Sequence, residues 1–168
     1  AEERLSALRE LTGTLESAHL MAVSAMAREV AMGIDALVVD VKVGSGAFVK
    51  TQLEARRLGQ MMVGIGRRMN KRVQALITSM NQPLGYAIGN ALEIMEVSQT
   101  LQNVGPADLT RLSLELAARM IFLGGHAGSV EEARLLAQEK LLSGAGYEKF
   151  CEVITAQGGD AQVLERFE

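Results

Sequence analysis

Two groups of residues have types and spacings that could do chemistry. Arg9 ends a short helical pattern and precedes a second one in which Ser24 and Arg28 lie four residues apart, hence on one face. An arginine fork can donate two parallel hydrogen bonds to a planar acceptor edge, and a hydroxyl one turn away can read a neighbouring ring nitrogen or carbonyl. The plainer reading of Arg9 is a solvated arginine. Glu93 and Glu96 form the second group, on a helical pattern that follows the loop containing Pro83. They read either as a solvated helical face or as a hard-cation site in which Glu96 joins carbonyl oxygens of the irregular loop.

Other residues with reactive side chains stand more alone. Gly44-Ser45-Gly46 follows an apolar run and invites a phosphate-cradle reading, but the third glycine of a dinucleotide fingerprint and the Gly-Lys-Ser/Thr of a triphosphate loop are both missing. The competing reading is a tight strand-to-helix turn. His19 and His126 are the two imidazoles, and neither has ligand-spaced His, Cys or carboxylate neighbours in sequence. Cys151 is the single cysteine, which rules out an internal disulfide and fits a reducing compartment. With Phe150 and Val153 beside it, it reads as a core thiol.

These residues need elements to hold them. Leu5, Leu8 and Leu11 stripe a helix over 2–11, and Ser17 is positioned to cap a helix over 18–32 that ends at Gly33. The run Ala36–Val43 is nearly all apolar, as in a parallel strand covered on both faces. Thr51-Gln-Leu-Glu54 has the form of a capping box and opens a helix to about Met69. Arg72–Ser79 is a second strand, so the order is βαβ with an expected right-handed crossover. Helices then follow from near Ile88 to Gln102, from Pro106 at a first helical position to Leu123, from a second capping box at Ser129–Glu132 to Leu142, and over 147–156. Two strands are too few for a doubly covered sheet, because each leaves unpaired edges. Helical pattern also begins almost at residue 2. The expectation is therefore part of a larger catalyst, with further strands from elsewhere or a minimal sheet among helices.

Composition sets the outer limits. The chain has 168 residues, 48% apolar and 22% charged, with net charge −3. That is globular composition with no basic block, which argues against nucleic acid or an anionic membrane as partner. No apolar run approaches the ~20 residues that span a bilayer, and the charged, helical first ten residues are unlike a signal peptide. Nine Met with no Trp point to an aliphatic, helical core in which methionine fills gaps.

The succession ALRELTGTLES, ALVVDVKVGSGAF, SMNQPLGYAIGNALEIMEV, GPADL and AQGGD resembles the pyrimidine-nucleoside phosphorylases, the family that includes thymidine phosphorylase, over nearly the whole chain. The resemblance implies an α/β fold: a partial parallel sheet with covering helices, preceded by two helices of a helical domain. Residues 1–33 would be the helical-domain segment and 34–168 the second half of the α/β domain. It implies a pentosyltransferase that splits uridine- or thymidine-type nucleosides with phosphate as co-substrate, giving free base and pentose 1-phosphate. Arg9, Ser24 and Arg28 would hold the base; Leu84, Ala87 and Glu96 would supply part of a monovalent-cation site, potassium being expected, with its remaining ligands in an earlier segment. It also implies a cytoplasmic homodimer. Arg28 stands where the family has lysine, Ser6 where it usually has tyrosine, Glu10 for aspartate and His19 for a common proline, which puts base affinity in question. The family's phosphate loop and acid histidine would precede Ala1, so the 168 residues alone are expected to be inactive. The rival expectations are a non-catalytic oligomerisation or base-binding module, and a phosphoribosyltransferase, for which a pyrophosphate loop is not visible.

Overall fold

The two apolar runs that sequence periodicity singles out pair as parallel strands, β1 (Ala36–Val43) and β2 (Arg72–Ser79), in register from Ala36↔Arg72 to Val43↔Ser79. The computed structural model describes residues 2–165. Helices α1 (Glu2–Leu11) and α2 (Ala18–Ala31) precede β1, and α3 (Gln52–Arg68) connects the strands. After β2 come α4 (Asn90–Leu101), α5 (Ala107–Leu123), α6 (Val130–Leu142), α7 (Ala145–Ala156) and a 3-10 turn (Ala161–Glu165) that the periodicity did not announce. The architecture is α/β with a two-stranded parallel sheet among the described residues. No helix among them is long and apolar enough to cross a membrane. The chain divides into two compact units, Ala1–Gln82 and Pro83–Glu168.

In the first unit, strand alternation puts Leu37, Val39, Val41 and Val43 of β1 on one face with Val73, Ala75 and Ile77 of β2. Ala55, Leu58 and Met62 of α3 cover that face, and Ala22 and Met26 of α2 close the cluster. Met26 and Met62 do fill the core, but Met32, Met69, Met80 and Met120 are exposed, so methionine is only partly a core filler here. On the other face of the sheet Lys42 Nζ sits 2.6 Å from Asp40 Oδ2 and donates to Thr78 Oγ1 at 3.0 Å, while the Thr78 hydroxyl donates to Asp40 Oδ1. This face is therefore not the uniformly apolar surface that the run Ala36–Val43 suggests.

Of the four helix starts that carry a cap signal in the sequence, one forms as expected and three depart from it. Thr51 and Glu54 form the expected reciprocal box: Thr51 Oγ1 accepts from Glu54 N–H and the Glu54 carboxylate accepts from Thr51 N–H. Ser17 holds the N-cap position of α2 without a side-chain cap bond. Pro106 occupies the N-cap position of α5 with an extended ψ of 138°, one residue before the first helical position, because its carbonyl accepts from Thr110 N–H and so starts the helix one residue later. Ser129 accepts from Glu132 N–H, but the Glu132 carboxylate reaches past it to Gly128 N–H at 2.8 Å, displacing the second half of that box by one residue.

In the second unit, α5 and α6 meet through small residues, Ala118, Ala133 and Ala137, all buried. Glu115 on α5 ties the pair together, with Arg134 of α6 at 2.7 Å on Oε2 and Arg119 at 2.6 Å on Oε1. The hydrogen bond from Arg134, and next that from Arg119, hold the Glu115 carboxyl below the ordinary glutamate range. A folded value below the unfolded one contributes stability that is present above the ordinary glutamate pKa of 4.5 and disappears as pH falls through the folded value. Glu115→Gln should therefore cost about 1 kcal/mol near neutrality. In thermal unfolding followed from about pH 6 to about pH 3, the wild-type advantage should shrink toward zero.

Candidate functional site

The base-binding candidates lie on the first two helices. Arg9 closes α1 and folds back over the connection to α2: its Nη2 donates to the Leu15 carbonyl at 2.8 Å and to the Thr14 carbonyl at 3.5 Å. It is half-buried, which corrects the reading of a freely solvated arginine, and its buried Nε has no partner among the described residues. On α2, Ala22 and Met26 face the core. Ser24 and Arg28, about half a turn round the helix at ~100° per residue, face away from it. Ser24 is half-buried; Arg28 is exposed and lies 3.3 Å from its neighbour Glu29.

The glycine turn after β1 is fully committed to the fold. Gly44 N–H donates to Val49, Ser45 N–H to Asn81 Oδ1, Gly46 N–H to Met80 and Ala47 N–H back to Gly44. No amide of the turn is left to cradle a phosphate, so that reading is withdrawn. The glycines serve close approach: a Cβ on Gly44, at φ +135°, would lie 2.4 Å from Asn81 Oδ1, and one on Gly46 would lie 2.9 Å from the Met80 carbonyl. His126 is exposed in its glycine loop, and Cys151 is half-buried rather than core.

The cation candidates come together on one loop and one helix. Glu93 is exposed and accepts from Gly89 N–H at 3.2 Å, ordering the start of its own helix. Glu96, one turn later, is only 7% exposed. Its Oε1 accepts from Tyr86 N–H at 2.8 Å and Ala87 N–H at 3.0 Å, and its Oε2 lies against Gly85, where a Cβ would approach to 2.1 Å. Ala87 is thus bonded directly to Glu96, and Leu84 precedes the glycine that packs on it. Sequence reasoning missed Asp108, at the start of α5, whose Oδ2 accepts from Gly85 N–H at 3.1 Å. The Gly85 N–H, and next the Leu109 N–H, hold the Asp108 carboxyl below the ordinary aspartate range. Its sequence signal was an acid just inside a helix N-terminus, 23 residues from the amide it binds, and that spacing is invisible to periodicity.

A buried carboxylate needs compensation beyond two neutral amides. The groups set against it are backbone amides, those of Tyr86 and Ala87 on Oε1, with Gly85 against Oε2. No group of three or more His, Cys, Asp or Glu exists among the described residues. The loop geometry itself depends on Glu96. Glu96→Ala should cost about 1–3 kcal/mol by orphaning two amides, and Gly85→Ala should loosen the same loop. Hydrogen exchange at Tyr86 and Ala87 should accelerate about tenfold or more in both variants.

Residues 6–147 match the glycosyl transferase family, a/b domain. Along 165 residues, 98% of the chain, the sequence is 49% identical to pyrimidine-nucleoside phosphorylases of Staphylococcus aureus strains USA300 and NCTC 8325 / PS 47. It is 48% identical to that of the bovine strain RF122/ET3-1. In each case the chain spans 38% of the length of the relative it matches.

Proposed function

The chain belongs to the glycosyl transferase family, whose a/b domain it carries, and from that premise we propose that it is the base-holding and cation-holding part of a pyrimidine-nucleoside phosphorylase. The observation that carries the reading is the 49% identity to such enzymes along 98% of the chain. The reaction would be reversible phosphorolysis: the bond between the pentose C1′ and the base nitrogen breaks, a phosphate oxygen takes its place on C1′, and the base leaves with the bonding electrons.

A departing pyrimidine carries negative charge on its carbonyl edge. Donors aimed at that edge lower the barrier because they bind the developing anion more strongly than the neutral base. Arg9, Ser24 and Arg28 are assigned this task. Support comes from the fork of Arg9, whose five donors exceed what the Thr14 and Leu15 carbonyls take through Nη2. Arg28 presents a planar fork rather than a point charge, so it favours a bidentate hold. Leu84, Ala87 and Glu96 are assigned the monovalent cation, with K+ proposed; when bound it would supply the positive charge that the buried Glu96 carboxylate lacks. Residues 1–33 are proposed as a segment of a helical domain in the longer protein and 34–168 as part of its α/β domain. Cytoplasmic location follows from the same reading. The exposed stripe of Leu5, Leu8 and Leu11 favours a subunit contact through α1, hence a homodimer.

The phosphate site on this reading lies in the rest of the longer protein. The purified 168 residues should therefore release no uracil from uridine in phosphate buffer, and measurable phosphate-dependent release would refute the division of labour. Calorimetry should still detect uracil or thymine, with Arg9→Ala weakening binding about tenfold or more, as expected for a charged hydrogen bond worth ~1.5–3 kcal/mol. No heat from either base, with wild type and variant alike, would remove the base-site assignment.

A further inference from the structure

Three consecutive amides of the loop after β2, those of Gly85, Tyr86 and Ala87, are taken by side-chain carboxylates. Glu96 takes the last two. The first goes to Asp108, from a different helix. We infer that Asp108 is a positioning residue for the candidate cation loop, acting by fixing the direction of the Leu84 carbonyl. The inference rests on the proposed cation site and adds to it a residue that does not touch the ion.

The argument is one of peptide geometry. The Leu84 C=O and the Gly85 N–H belong to one peptide plane, and no peptide among the described residues is cis. In a trans peptide the two groups point in opposite directions. Accepting the Gly85 N–H therefore turns the Leu84 oxygen away from Asp108 and holds it there. The Glu96 bonds act on the two following planes and leave this one undetermined. Gly85 is also the one residue of the three in the left-handed region, at φ +71°, where its plane could swing most easily.

The plainer role for Asp108 is an acid in the first turn of α5, favoured by the helix dipole. One carboxylate oxygen does serve that end, since Oδ1 accepts from Leu109 N–H at 2.9 Å. The dipole does not require the other, Oδ2, to reach back to a loop amide 23 residues earlier. The two roles separate experimentally. Asparagine keeps an acceptor and loses the charge; alanine loses both.

The test is a KCl titration of the isotopically labelled chain at constant ionic strength, with choline chloride as balance, following the Leu84 carbonyl carbon by NMR. The wild type should show a saturable shift. Asp108→Ala should raise the K+ midpoint about tenfold or more, as outer-shell partners of metal ligands typically do. Asp108→Asn should stay within about threefold. Asp108→Ser, whose hydroxyl is too short to reach Gly85, replaces the alanine variant should that variant not fold. An unchanged midpoint in the alanine or serine variant, or an equal loss in the asparagine variant, overturns the inference while leaving the cation site standing. A wild-type Leu84 carbonyl that ignores K+ overturns the cation site itself, and the inference with it.

Discussion

Backbone amides outside helices and strands must find acceptors, and in the loop from Gly85 to Ala87 side-chain carboxylates supply them. The candidate site depends on this. Without Glu96 and Asp108, the segment after Pro83 would be an irregular connection with no fixed carbonyl direction. With them, the middle of α4 and the start of α5 hold three consecutive amides of the loop. The cost is a carboxylate only 7% exposed, whose charge its two amide partners offset only in part.

Glycine plays two separate parts in reaching that arrangement. Gly85 is small because Glu96 Oε2 occupies the place of its Cβ. Gly44 and Gly46 are small because the ends of the two strands close on each other, with Met80 and Asn81 filling the space over the turn. The second use explains why a glycine pattern that looks suited to phosphate is not a phosphate site: all four of its amides are already spent inside the protein. Asn81 joins the two turns, accepting from Ser45 and donating to Ser79. The same residue thus anchors the start of the segment that runs toward Pro83.

The base side is built differently. Ser24 and Arg28 share a face because they are four residues apart on a helix whose opposite face is buried through Ala22 and Met26. Arg9 owes its place to hydrogen bonds with the carbonyls of Thr14 and Leu15, so the connection between α1 and α2 holds the arginine rather than merely linking the helices. The role proposed for it is compatible with that hold, since a guanidinium has five donors and the loop carbonyls engage one nitrogen.

The sequence by itself determined the α/β class, the parallel order of strand, helix and strand, and the bounds of β1, β2 and α1 to the residue. Apolar alternation and cap chemistry act over a few positions, and these are local rules. It also determined the capping box at Thr51. Only the tertiary structure decided that the glycine turn has no free amide, that Arg9 is pinned to its own loop, and that Glu132 caps one residue earlier than its spacing suggests. The polar side of the sheet at Asp40, Lys42 and Thr78 was hidden in an apolar run for the same reason: cross-strand pairing joins residues 36 and 38 positions apart. Asp108 shows the limit most clearly. Which amide a carboxylate meets is set by where two helices and a loop are packed, and no pattern within a helix's length carries that information.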